Sequence, residues 1–152
     1  MADRKTKTTA LVTGANRGIG FAIAHKLAEL RISVLAGVRN EANAIAAGAA
    51  FAKLGVDVEP VIIDVADAAT LPSVLTEIEQ RHAPIDILVN NAAILIDGPG
   101  GFNASFFDMT DETLRRTWET NVLAPAAIIR TLLPGMIARG YGRIVNVSSL
   151  AG

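Results

Sequence analysis

Five short apolar runs recur along the chain, at residues 9–13, 33–38, 58–63, 85–90 and 143–147. Each is rich in β-branched residues and too uniformly apolar for a half-exposed ribbon, so they predict strands buried on both faces. Helical spacing fills the intervals. Ile19, Ile23, Leu27 and Leu30 form one stripe at steps of four, four and three. An alanine-rich helix with Gly48 inside it is predicted over 41–54, and another over 70–81, carrying Leu71, Leu75 and Ile78. A fourth runs from Thr110 towards Met136. Thr110 is placed to cap it, and Asp111 and Glu112 put negative charge in its first turn. Strand then helix, repeated with crossovers too long for hairpins, predicts a parallel sheet with helices on both faces, a doubly wound α/β fold.

Two interruptions stand out. Residues 94–110 contain Asp97-Gly98-Pro99-Gly100-Gly101 without periodicity and predict a long loop at the C-terminal end of the fourth strand. That is the edge where open parallel sheets bind ligands, so the loop is read either as substrate-contacting or as plain surface. Pro125 has no N–H for the carbonyl four residues earlier, which belongs to Asn121. A kink there serves structure alone, or leaves a carbonyl to hold a water.

Composition narrows the function classes. Of 152 residues 51% are hydrophobic, enough for a single domain with its own core. Fourteen basic and fifteen acidic residues leave a formal charge of −1, so no general attraction to nucleic acid or to an anionic membrane is expected. Residues 1–8, with Arg4, Lys5 and Lys7, are expected to be a solvated basic tail ahead of a domain over 9–152. Zero cysteines and two isolated histidines, His25 and His82, offer no metal site. No apolar stretch reaches the roughly 18 uninterrupted residues of a membrane span, and a cytoplasmic location is expected.

The chemistry concentrates at Thr13-Gly14-Ala15-Asn16-Arg17-Gly18-Ile19-Gly20, between the first strand and the first helix. Glycines at 14, 18 and 20 allow backbone angles and a close approach that a Cβ blocks, while the helix start aims free N–H groups at the turn. Its partial positive charge suits the pyrophosphate of a dinucleotide.

The turn is spaced Thr-Gly-x-x-x-Gly-x-Gly. With Asp64, Asn90-Asn91-Ala92-Ala93, Asn121 and Asn146-Val147-Ser148-Ser149 following in order, the chain resembles the short-chain dehydrogenase/reductase family, nearest its carbonyl-reductase-like members. The resemblance implies a Rossmann-type sheet of about five strands and four helices, incomplete at the C-terminal side. It implies a pyrophosphate site at Gly14, Gly18 and Ile19, with Asn16 and Gly20 as further cofactor-binding positions of the turn, an adenine contact at Asp64, and a ribose border at Asn90 and Ala92. Asp64 is also placed to cap a helical pattern that starts at Ala66, with the adenine contact preferred. The fourth-strand motif ends in Ala93 where the family has glycine, so a turn with negative φ is expected.

Charge bears on the choice of dinucleotide. A free 2′-hydroxyl is usually held by a carboxylate after the second strand, whereas a 2′-phosphate needs cations. Here Val38-Arg39 stands at that point, and Arg17 adds a second guanidinium. NADP is therefore preferred over NAD, with Arg39 as a solvated loop residue the alternative.

The reaction implied by the resemblance is hydride transfer between nicotinamide and the carbon of a small carbonyl or alcohol substrate. Ser149 matches the family's substrate-binding serine, with Ser148 as neighbour, and a strand-end turn is the simpler role for both. Asn121 matches the family's helix-kink asparagine. The expected Tyr-x-x-x-Lys would fall about a dozen residues beyond Ser149. Tyr141 precedes the fifth strand and does not replace it. The expectation is an NADP-dependent oxidoreductase's cofactor-binding portion, inactive by itself and homo-oligomeric when complete. The alternative is a non-catalytic dinucleotide-binding or regulatory module.

Overall fold

Alternation within each apolar run decides which helix layer a side chain meets. In β1 (Thr9–Thr13), Leu11 joins one core and its neighbour Val12 the other, and both are fully buried. The computed structural model describes residues 7–95 and 105–149, so most of the expected basic tail and part of the long loop, residues 96–104, lie outside the described residues.

After β1 come α1 (Gly18–Glu29), β2 (Ser33–Val38), α2 (Glu41–Lys53), β3 (Val58–Ile62), α3 (Leu71–Arg81) and β4 (Ile87–Asn90). Then follow α4 (Asp111–Trp118), α5 (Ala124–Ala138) and β5 (Arg143–Asn146). All five strands are parallel, in the order β3-β2-β1-β4-β5. The reversal between β1 and β4 is the switch point of a doubly wound sheet. With α4 and α5 counted as one rod, four helices cover the two faces, as the periodicity predicts.

On one face α1 and α2 cover Val12, Val34, Ala36 and Val38, with Phe51 stacked on Phe21 at 4.2 Å between centroids. On the other, Leu71, Leu75 and Ile78 of α3 and Ile128, Leu132 and Met136 of α5 cover Leu11, Leu35 and Leu88. The first helical stripe needs correction. Ile19 and Leu30 are 64% and 63% exposed, because the face of α1 nearest the sheet is Gly20 and Ala24, flanked by Ile23 and Leu27.

Thr110 caps α4 in a capping box with Thr113. The rod then widens instead of kinking: residues Glu119–Leu123 form a π turn in which the Ala124 N–H donates to the Glu119 carbonyl. With no N–H at Pro125 the i−4 pattern cannot close on Asn121, and an i−5 turn carries the helix past it. The whole rod, Asp111–Ala138, is long and apolar enough to cross a membrane by length and composition. Its Ala124, Ile128, Leu132 and Met136, however, belong to the sheet's core.

Candidate functional site

Each crossover leaves the C-terminal edge of its strand at nearly the same place, and the resulting turns enclose a cleft of about 500 Å³. After β1, Gly14, Asn16, Arg17, Gly18 and Ile19 line it. Arg39 follows β2, Asp64 follows β3, and Ala92 follows β4. Eight predicted cofactor residues therefore share one space, although the strands that deliver them are far apart in sequence.

The glycine turn is built for close approach. Gly14 has φ +65°, and a Cβ there would lie 2.9 Å from the Ala92 Cα. Gly18 has φ +58°. Arg17 is the extended N-cap of α1, yet its side chain makes no cap hydrogen bond, and no acid lies in the first turn. The helix start therefore offers its N–H groups and partial positive charge to the cleft without a competing side chain. These features fit a dinucleotide's pyrophosphate, the group that the glycine motif predicts.

Two side chains lock this turn to the end of β4. Thr13 Oγ1 accepts from the backbone N–H groups of Asn91 and Ala92, each at 3.0 Å. In return Asn91 Nδ2 donates to the carbonyls of Thr13 at 3.0 Å and Gly14 at 3.2 Å. Gly20 lies outside the lining and is buried against this latch, where a Cβ would collide with Asn91 Nδ2 and the Gly14 carbonyl.

Asn90 also lies outside the lining. It is 5% exposed, and its Nδ2 donates to Asn146 Oδ1 at 2.9 Å, across the β4–β5 boundary. Asp64 faces the cleft while its Oδ1 accepts from the Ala66 N–H at 3.0 Å, closing a local turn. It does not cap α3, which begins later, at Leu71. Ala93 takes no positive φ, since among the described non-glycine residues Arg31 alone does.

The two predicted catalytic positions sit around the cleft rather than in its lining. Asn121 lies in the π turn beside Thr120, which does line the cleft. Its side chain makes a two-point clamp on the loop start: Nδ2 donates to the Ile94 carbonyl at 2.7 Å, and Oδ1 accepts from the Ile94 N–H at 2.9 Å. The sequence reading considered only its backbone carbonyl. Ser149 is exposed, three residues past the end of β5, at the same sheet edge as the cleft. Tyr141 stands at the other end of β5, its ring 5.0 Å from the Arg143 guanidinium carbon.

Sequence reasoning missed Asn43, Ile63, Val65 and Thr120 in the lining. Thr120 adjoins a motif residue, and Ile63 and Val65 flank Asp64. Asn43 had no motif signal; its place follows from the Asn40 cap, whose side chain accepts from the Asn43 N–H. Among the described residues no group of three or more His, Asp or Glu side chains is gathered to hold a metal.

A family model described as short chain dehydrogenase matches residues 8–152. This chain belongs to that family. Among curated members of the short-chain dehydrogenase family, it is 35% identical over 147 residues to the ketoacyl reductase HetN of Nostoc sp., covering 97% of this chain and 49% of HetN. It is 37% identical over 143 residues to dehydrogenase/reductase SDR family member 4 of Mus musculus, covering 94% of this chain and 50% of that protein. Among solved structures, actinorhodin polyketide ketoreductase with NADPH superposes with a TM-score of 0.83 at 30% identity, over 98% of this chain and 55% of that one. The chain thus spans about half the length of the short-chain dehydrogenases it matches.

Proposed function

We propose that this chain is the cofactor-binding portion of an NADP-dependent oxidoreductase acting on a small carbonyl or alcohol. The observation that carries the choice of NADP is the charge of the cleft: Arg17 and Arg39 line it together, and Asp64 is the sole acid among its described lining residues. No carboxylate lining the cleft follows β2 to hold a free 2′-hydroxyl, and two guanidiniums suit a 2′-phosphate. The similarity to a ketoreductase seen with NADPH supports the reading.

When bound, the nicotinamide supplies hydride transfer to or from the substrate carbon. Gly14, Gly18 and the uncapped start of α1 hold the pyrophosphate, Asp64 accepts from the adenine amino group, and Ala92 borders the adenine ribose. Ser149 donates a hydrogen bond to the substrate oxygen. The one tyrosine lies at the opposite sheet edge, so this chain alone has no phenol at the cleft to move a proton, and its own turnover is negligible. A binding-only, regulatory role is the second reading, favoured by a cleft whose described lining residues fit a dinucleotide while both predicted catalytic positions stand outside that lining.

We further propose self-association through the rod, whose Leu114, Trp118, Val122, Leu133 and Ile137 are exposed.

Isothermal titration of the chain with NADPH and NADH tests the cofactor reading. NADPH is expected to bind at least about tenfold more tightly, and Arg39→Ala to remove most of that difference. Equal affinities, or a preference untouched in both Arg17→Ala and Arg39→Ala, would overturn NADP specificity. Turnover of an aromatic ketone with NADPH by this chain would overturn its inactivity.

A further inference from the structure

The last rung between β4 and β5 is made by side chains as well as backbone. Asn90 and Asn146 are register partners, and beyond them the Val147 N–H donates to the Asn90 carbonyl at 2.9 Å. After this rung the two chains diverge: Asn91 and Ala92 enter the cleft lining, and Ser148 and Ser149 leave β5. The side chains of Leu88 and Ile144, two residues earlier on each strand, belong to the α3/α5 core, so Asn90 and Asn146 point to that same face.

An apolar residue at 90 would suit this place better by burial alone. Instead the position holds a carboxamide that is 5% exposed, with its Oδ1 buried and without a hydrogen-bond partner among the described residues. Keeping a half-satisfied amide in a core is unfavourable and calls for a reason beyond packing. Its one side-chain bond, from Nδ2 to Asn146 Oδ1 at 2.9 Å, ties down the strand end that launches Ser149.

We infer that Asn146 is a positioning residue: paired with buried Asn90, it sets the direction in which Ser149 leaves β5, and neither amide contacts the dinucleotide. The inference rests on the role proposed for Ser149. It gives the Asn90 side chain a role beside the ribose border that the family resemblance implies for that residue. The remainder of β5 cannot supply the same control, because Arg143 and Val145 are exposed, Ile144 is only partly buried, and no strand flanks its outer edge among the described residues.

The experiment uses the 152-residue chain and NMR, comparing Asn146→Ala, which deletes the acceptor, with Asn146→Asp, which keeps one. Residue 146 is exposed, so both variants are expected to fold. In Asn146→Ala, hydrogen exchange at the Val147 amide should rise at least about tenfold, since its rung depends on the pair. The Ser149 amide resonance should move, and the Asn90 side-chain NH₂ signals should lose their dispersion. Asn146→Asp should restore all three. NADPH affinity should change less than twofold in either variant.

Unchanged Val147 exchange and Ser149 resonance in Asn146→Ala would overturn the inference, as would equal disturbance in Asn146→Asp. A tenfold loss of NADPH affinity in Asn146→Ala would overturn it too, by assigning the pair to the cofactor. The exchange comparison needs no ligand, so failure of the wild-type chain to bind NADPH would refute the proposed function while leaving this test decisive.

Discussion

Along β1 every residue is buried, whereas β5, two places away in the same sheet, is exposed at three of its four positions. The helices repeat the contrast. Over β1, β2 and β3, α1 and α2 close a core around Phe51, which has no exposed surface. Over β4 and β5, the rod buries one side and leaves Trp118, Leu133 and Ile137 in the open. The β1–β3 region is held by continuous apolar packing, which supports the glycine turn and Arg39 from beneath. β4 still buries Leu88 and Val89 in the two cores, but from there to β5 the packing gives way to individual polar contacts. These are the Asn90–Asn146 pair, the Asn121 clamp on Ile94, and Arg139, whose Nη2 donates to the Ile85 carbonyl at 2.8 Å. The predicted cofactor residues cluster in the first region and the predicted chemical residues in the second. On the proposed reading, the cleft for the dinucleotide draws on dense packing, while the residues proposed for the chemistry are placed by a few hydrogen bonds.

Substitutions should separate the two regions by magnitude. Phe51→Ala should cost about 3–5 kcal/mol in urea denaturation, since a fully buried ring stacked on Phe21 leaves a cavity. A cost below about 1 kcal/mol would dissolve the distinction between the regions. Next comes the seam between them. Thr13→Val strands the N–H groups of Asn91 and Ala92, so about 2 kcal/mol of stability should be lost together with NADPH affinity. Stability lost with affinity intact would mean that the latch does not shape the cleft.

A smaller gain is available in the first region. Arg31 holds φ +64° just past the end of α1, so Arg31→Gly should raise stability by about 0.5–1 kcal/mol. A loss would show that its side chain contributes more than its backbone conformation costs. On the open face, Leu133→Lys should change stability by under about 0.5 kcal/mol while weakening self-association in sedimentation velocity. Unaltered association would remove the rod from the interface.

The smallest effect belongs to Glu29. The Lys26 ammonium, hydrogen-bonded at 2.9 Å, holds the Glu29 carboxyl below its usual 4.5. A depressed carboxylate contributes stability above its unfolded-state value and loses it as pH falls through the folded one. Glu29→Gln should therefore lower the melting temperature slightly at pH 7, and the difference should vanish in acid. A difference that persists in acid would mean that the pair is not its source.

The strands, the helix starts and the glycine turn were legible because they depend on neighbours in the chain. Uniform apolar runs specify strands, although β3 and β5, at the sheet's two edges, are not buried on both faces as those runs predict, and Thr110 caps its helix with a residue three positions on. Even the departure at Pro125 was legible as a missing donor, though not that the helix would absorb it as a π turn. Motif positions supplied seven of the eight predicted residues that line the cleft, the glycine turn because a phosphate cradle imposes its spacing directly on the sequence, and Arg39 came from charge alone.

Only the tertiary structure decided what the polar side chains do. Asn90 and Asn146 are 56 positions apart, Asn121 and Ile94 are 27, and Asn91 reaches Gly14 across 77. An amide is chemically the same whether it lines a cleft, clamps a loop or pairs inside a sheet. Its role is set by which donor or acceptor the strand order places within 3 Å, and no local pattern of residues encodes that distance. The same holds for Ile19 and Leu30, whose spacing fits a buried stripe. Burial depends on where the sheet lies, and the sheet lies against Gly20 and Ala24.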